Sequence, residues 1–195
     1  MTQLITTDTI ITEAVLKVIA YIPTKNLLDV IEKGFFQKLT DKHHMRIAVY
    51  LAEKSYNEGG CPIGGVIVHN ETNLILGKGH NMLVQANNSR IHGEGAAIAD
   101  AGRVDFSETN MKTTLTPCDR CYADIYMLAF SRVVVGDVTN VRDGNEQRLR
   151  DKGVQVDIVE DPKGIALYKK YCEEKPDQNL EDWRGLAAVN AKKRH

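Results

Sequence analysis

Thr113-Thr114-Leu115-Thr116-Pro117-Cys118-Asp119-Arg120-Cys121 runs from a short β-branched stretch into a Pro-Cys-x-x-Cys helix start, and the chain is best read outward from that junction. Thr113–Leu115 predicts a strand. Thr116 and Pro117 read as the N-cap and first residue of a helix that reaches about Phe130. Both thiols then fall in the first turn, where unpaired backbone amides and the positive helix end favour thiolates. Being i and i+3, the two sulfurs face one side.

Toward the N-terminus, His92–Ala101 predicts a helix, and Gly65–His69 and Leu74–Gly79 predict an antiparallel hairpin turning at Asn70–Asn73. Before it, Met45, Ala48, Val49, Ala52 and Tyr56 make one face of a helix that starts near Asp41 and stops at Gly59-Gly60. Toward the C-terminus come a strand at Val133–Gly136, a helix near Glu146–Lys152 ending at Gly153, and a strand at Val154–Val159. Helices follow at Pro162–Glu174 and Leu180–Lys192. The order α-β-β-α-β-α-β-α-β-α predicts an α/β fold, a three-layer α-β-α sandwich around one five-stranded mixed sheet.

Residues 1–40 differ in pattern from the remainder of the chain. Val15, Val18 and Ile19 predict one short helix, and Leu27, Leu28, Ile31 and Phe35 another, separated by Pro23. They carry no pattern that suggests chemistry. They are expected to form a helical N-terminal extension, structural or dimerising, ahead of a domain at 41–195.

The 195 residues include 25 Lys and Arg against 26 Asp and Glu, and 43% of them are hydrophobic. That is the balance of a folded soluble domain rather than a disordered segment. No apolar run approaches the roughly 20 residues of a membrane span. A net charge of −1 argues against a nucleic-acid backbone as the main partner. Arg142, Arg148, Arg150 and Lys152 cluster, but Asp143, Glu146 and Asp151 are interleaved with them, as on a solvated helix face. Met1–Thr7 lacks the basic start and apolar stretch of a secretory signal. The four cysteines accordingly read as thiols or metal ligands in a reducing, cytoplasmic setting.

His92-Gly93-Glu94 gives the Cys-x-x-Cys its meaning. Alone, that pair fits a redox couple or half a zinc ribbon. A redox couple leaves His92 and Glu94 without a role, and a structural zinc wants four protein ligands, whereas Cys61 and Cys172 stand alone. His92, Cys118 and Cys121 supply three ligands with a fourth position open, the arrangement of a catalytic zinc ion (Zn2+). Asn88 or Ser89 is placed to cap the helix at His92, so two helix starts are expected to converge on one metal. Zinc lowers the pKa of a bound water toward neutrality, and Glu94 can collect a proton and deliver it elsewhere. The chemistry that fits is attack of water on an electron-poor ring carbon bearing an amino group. Glu94 would pass protons to the ring nitrogen and to the departing ammonia.

His-x-Glu followed by Pro-Cys-x-x-Cys resembles the signature of zinc-dependent nucleobase deaminases. Over about Asp41–Leu186 the chain is similar to the fungal-type cytosine deaminases. The segments that carry the likeness are Gly59-Gly60-Cys61-Pro62-Ile63-Gly64-Gly65, Gly77-Lys78-Gly79-His80-Asn81-Met82, Thr113 through Asp119, and the tail from Glu174-Lys175-Pro176 to Glu181-Asp182. The resemblance implies a cytidine deaminase-like fold and hydrolytic deamination of a small free base, cytosine foremost. It implies three substrate contacts: Asn81 hydrogen-bonding the base, Gly93 offering its backbone amide to the same edge, and Asp182 receiving the amino group being lost. It also implies a homodimer joined through helices around the zinc site. Ile125, Tyr126, Leu128, Ala129 and Phe130 make one such helix apolar over more than one face.

Two positions depart from the family. Where it closes the pocket with a Phe and a Trp stand Val141 and Asn179, with Trp183 one helical turn further on. Fewer ring faces remove stacking area and suit a different or larger heterocycle. Alternatives are therefore guanine, another aminated heterocycle, a nucleoside or adenosine in transfer RNA. Outside enzymes, the alternative is a zinc-stabilised binding module, which needs four protein ligands and no acid–base carboxylate.

Overall fold

Alternation along the strands decides which helices cover which face of the sheet. The computed structural model describes residues 4–140 and 144–193. In chain order these form α1 (Glu13–Tyr21), the single turns α2 (Leu27–Val30) and α3 (Lys33–Phe36), α4 (Asp41–Asn57), β1 (Gly64–His69), β2 (Ile75–His80) and α5 (Gly93–Ala101). Then follow β3 (Thr109–Thr113), α6 (Asp119–Met127), β4 (Arg132–Val135), α7 (Asn145–Asp151), β5 (Gln155–Ile158), α8 (Pro162–Glu174), α9 (Pro176–Arg184) and α10 (Leu186–Lys192). The strand order is β2-β1-β3-β4-β5. β1 runs antiparallel to β2 and β3, while β3, β4 and β5 are mutually parallel. This is the expected mixed five-stranded sheet.

Val66, Val68 and Val134 point into one apolar cluster with Met45, Ile47, Ala48 and Leu51 of α4. Leu16, Ile19, Leu27, Ile31, Phe35 and Phe36 complete that cluster, so residues 5–39 share a core with α4. Ile67, Met111, Val133, Val135 and Val156 point the other way, onto Ala97 of α5, Ile125 of α6 and Leu149 of α7. A third cluster, Cys61, Ile63, Leu115, Tyr168 and Tyr171, joins α8 to the loop after β3.

The position of α5 depends on glycine at close approaches. A Cβ on Gly79 would stand 2.5 Å from Ala96 Cβ, and one on Gly93 would stand 2.8 Å from Ile63 O. Only hydrogen at those positions lets the start of α5 lie flat on β1 and β2.

Several expectations are corrected. The third strand is Thr109–Thr113 rather than Thr113–Leu115. Its polar Asn110 and Lys112 hide the strand pattern, yet both are buried: Lys112 Nζ pairs with Asp41 Oδ1 at 2.9 Å, and Asn110 Nδ2 donates to Asn70 Oδ1 at 2.9 Å. The helix expected from Leu27 to Phe35 is two single turns, because Ile31 is extended and bridges to Ile5. The C-terminal helix is two helices parted by Gly185, whose φ of 75° no helix accommodates. Val141, Arg142 and Asp143 lie outside the described residues. No described helix is long and apolar enough to cross a membrane.

Candidate active site

Two helix starts meet. His92 is the N-cap of α5 and Cys118 the N-cap of α6, with Cys121 in the first turn of α6. This shifts the expected cap: neither Asn88 nor Ser89 caps α5, and Thr116 is freed from capping α6. Thr116 instead donates to the buried Glu146, while its backbone N–H bonds Asp137 O at 3.1 Å. Asn145 Nδ2 donates to Pro117 O at 2.9 Å. The start of α7 thus pins the loop that carries the thiols. Glu146, which its charged neighbours mark as solvated, is buried for that purpose.

His92 Nδ1 lies 3.4 Å from Cys118 Sγ and 3.7 Å from Cys121 Sγ, and the two sulfurs are 3.7 Å apart. A tetrahedral zinc with bonds of about 2.3 Å to sulfur and about 2.0 Å to nitrogen sets S···S near about 3.8 Å and N···S near about 3.6 Å. The donor set fits that ion, with Nδ1 as the coordinating nitrogen. It is also the one group of three potential ligands found together among the described residues. The thiols titrate as a pair. The hydrogen bond from Cys121, reinforced by His92, holds Cys118 down at about 4, and the same contact together with burial pushes Cys121 well above the thiol range.

Glu94, two residues into α5, is almost wholly buried beside this cluster. Its Oε2 is 3.4 Å from Cys121 Sγ, and its Oε1 accepts from Thr113 Oγ1 at 3.1 Å. Burial, followed by the negative charge of Cys118, raises its carboxyl to about 7. A group poised there can both take and give a proton near neutrality. Nothing in the sequence around Thr113 marks it for this role. Only the packing of β3 beneath α5 places its hydroxyl on the carboxylate.

Asn81 follows β2 directly and is fully buried. Its Oδ1 accepts from Leu83 N at 3.0 Å, which turns Nδ2 toward Asp182, at 3.1 and 3.3 Å from the two carboxylate oxygens. Asp182 Oδ1 lies 3.9 Å from His92 Nε2. Three positions expected at one site, 81, 92 and 182, are thereby adjacent, and Gly93 opens α5 beside them. A cavity of about 450 Å³, lined by Leu83, Asn88, Ser89, Glu181 and Leu186 among others, opens between this loop and α9–α10. Arg120, another residue that sequence reasoning passes over, donates to Ser89 O at 2.5 Å and stands 3.2 Å from His92 Nε2.

Asn179 and Trp183 have a different use from the one expected of pocket walls. Tyr168 OH donates to Asn179 Oδ1 at 2.9 Å, and Trp183 Nε1 donates to Tyr168 OH at 3.0 Å.

An α-β-α sandwich with a His-Cys-Cys cluster at two helix starts and a buried carboxylate beside it defines the class: a zinc-dependent hydrolase of the deaminase type. Residues 38–137 match the family described as the cytidine and deoxycytidylate deaminase zinc-binding region. The chain is 39% identical over 145 residues to a cytosine deaminase of Candida albicans, covering 73% of this chain and 95% of that one. It is 34% identical over 101 residues to a tRNA-specific adenosine deaminase of Buchnera aphidicola, covering 50% of this chain and 61% of the other. Among solved structures, a guanine deaminase from Nitrosomonas europaea shares the fold, with a TM-score of 0.58 at 18% identity over 68% of this chain and 84% of that one. The protein belongs to the cytidine and deoxycytidylate deaminase family. It is a zinc enzyme that hydrolyses the C–N bond of a cyclic amidine.

Proposed function

We propose that this enzyme deaminates a small free nucleobase, cytosine in the first place, giving uracil and ammonia. The observation that carries the reading is the meeting of Asn81 and Asp182, 101 residues apart, beside His92 and the thiols. In this reading His92, Cys118 and Cys121 hold the zinc, which when bound lowers the pKa of water and supplies a nucleophile at neutral pH. Asn81 binds the amide edge of the base with Nδ2 and Oδ1, and the Gly93 N–H faces the same edge. Glu94 carries one proton from water to the ring nitrogen and a second to the leaving amino group, so that C–O forms, C–N breaks and ammonia departs. Asp182 accepts hydrogen bonds from the amino group as it leaves. A site that reads a base through buried hydrogen bonds rejects analogues that leave those groups unpaired.

The 39% identity to a cytosine deaminase over nearly its whole length supports cytosine. One observation favours a second reading, a larger aminated heterocycle such as guanine: Asn179 faces Tyr168 and offers the base no ring. Adenosine in transfer RNA is disfavoured. Among the described residues of the basic cluster, Arg148 pairs with Asp119 and the Tyr122 ring, Arg150 donates to Val156 O, and Lys152 lies over the Tyr126 ring. A zinc-stabilised module is disfavoured because Cys61 and Cys172 stand outside the cluster and Glu94 needs a use. The catalytic domain is assigned to 41–195, with 1–40 as a helical extension of which residues 5–39 pack on α4, and the enzyme to the cytoplasm, where thiol ligands stay reduced. The working unit is a homodimer formed through α6.

Ammonia release measured across cytosine, guanine, adenine and their nucleosides tests the substrate assignment. Cytosine is expected to be converted fastest. Conversion of a purine with cytosine untouched would replace it by the second reading.

A further inference from the structure

We propose that Tyr168 is a positioning residue whose phenol latches α9 over the active site and so holds Asp182 against Asn81. α9 is a nine-residue cover whose two buried side chains are polar, Asn179 and Asp182, while Trp183 is partly buried. Trp183 gives α9 an apolar contact with the Tyr168 cluster, and the buried Asn179 amide needs a partner as well. The partner is Tyr168, itself buried in α8, donating to Asn179 Oδ1 and accepting from Trp183 Nε1. Asn179 and Trp183 are i and i+4 on α9, so one hydroxyl grips both ends of a single helical turn. Asp182, i+3 from Asn179, lies on the same face and reaches Asn81. Tyr168 is in turn anchored on Leu115, Cys61 and Ile63, the cluster that abuts the loop leading to Cys118. The latch thus references the substrate carboxylate to the body that carries the thiols. Burial keeps the phenol protonated and able to donate.

The proposal rests on the role given to Asp182 above. Its test is Tyr168→Phe in the full chain, read by amide hydrogen exchange and by kinetics on whichever base releases ammonia. Removal of the hydroxyl takes this partner from the buried Asn179 amide and the part-buried Trp183 indole N–H, which is expected to speed exchange in α9 by about tenfold while α4 is unchanged. If α9 is docked in only a fraction of molecules, apparent affinity falls by that fraction, so KM is expected to rise about tenfold with kcat nearly constant. Tyr168→Phe is expected to add nothing further in an Asp182→Ala background. Unchanged exchange in α9, a uniform acceleration across the molecule, or additive losses in the double variant would overturn the latch. Full activity of Asp182→Ala alone would instead overturn the role of Asp182, and the two failures are distinguishable.

Discussion

Burial acts in opposite senses on two titratable side chains of this protein. It raises the Glu94 carboxyl to about 7, which suits proton transfer, and it lowers the His44 imidazole to about 3. His44 lies on the inner face of α4 with neither ring nitrogen hydrogen-bonded, and the nearby Lys112 ammonium further opposes its charge. Its folded pKa is depressed below the free value of 6.5, so the unfolded chain binds the proton more readily. The stability linked to His44 is then complete above about pH 6.5 and is lost as pH falls toward 3, by about 2 kcal/mol at pH 5. Thermal unfolding followed from pH 7 to pH 5 should show that slope in the wild type and lose it in His44→Leu. An equal slope in both would show that another group is responsible. At this scale, the legible residues are those defined by local spacing: His92, Glu94, Cys118 and Cys121 lie within short motifs whose geometry a helix start fixes. Asn81 and Asp182 are reached through family resemblance. Thr113, Arg120 and Tyr168 make their contacts between distant segments, and nothing in their immediate sequence marks them.

α5 and α6 begin at His92 and Cys118, which fixes where those side chains point, and the positive end of α6 favours a thiolate at Cys118. α6 also carries an unfilled requirement on its outer side. Ile125 and Phe130 are buried in the core, whereas Tyr126, Met127 and Leu128 are exposed, Met127 at 76%. An apolar surface of this kind next to an active site suits a second copy of the chain. Sedimentation at micromolar concentration should give a dimer, and Met127→Glu should shift it toward monomer with the fold intact. A wild-type monomer would contradict the assembly. Helices and the hairpin are readable because their apolar periodicity is strong. β3 is hard to place because its buried Lys112 and Asn110 are satisfied by Asp41 and Asn70, partners that a local pattern cannot disclose. The break at Gly185 is likewise invisible without its positive φ.

Across the whole molecule, the sheet supplies a common frame for four segments far apart in sequence. β2 delivers Asn81, α5 delivers His92 and Glu94, the loop after β3 delivers the thiols, and α9 closes over them with Asp182. Residues 5–39 thicken the opposite face, filling the cluster around α4 rather than approaching the site. With the candidate site at one end and this packing at the other, Glu94 is expected to be replaceable without loss of the fold. The most direct measurement is ammonia release from cytosine by the wild type and by Glu94→Gln, each verified to carry one zinc per chain. The wild type should give uracil and ammonia in equal amounts. The variant should keep its metal and its unfolding temperature while turning over about 10²-fold or more slowly. Near-normal turnover in Glu94→Gln, or a zinc-loaded wild type that releases no ammonia from cytosine or any other aminated base, would contradict the assignment.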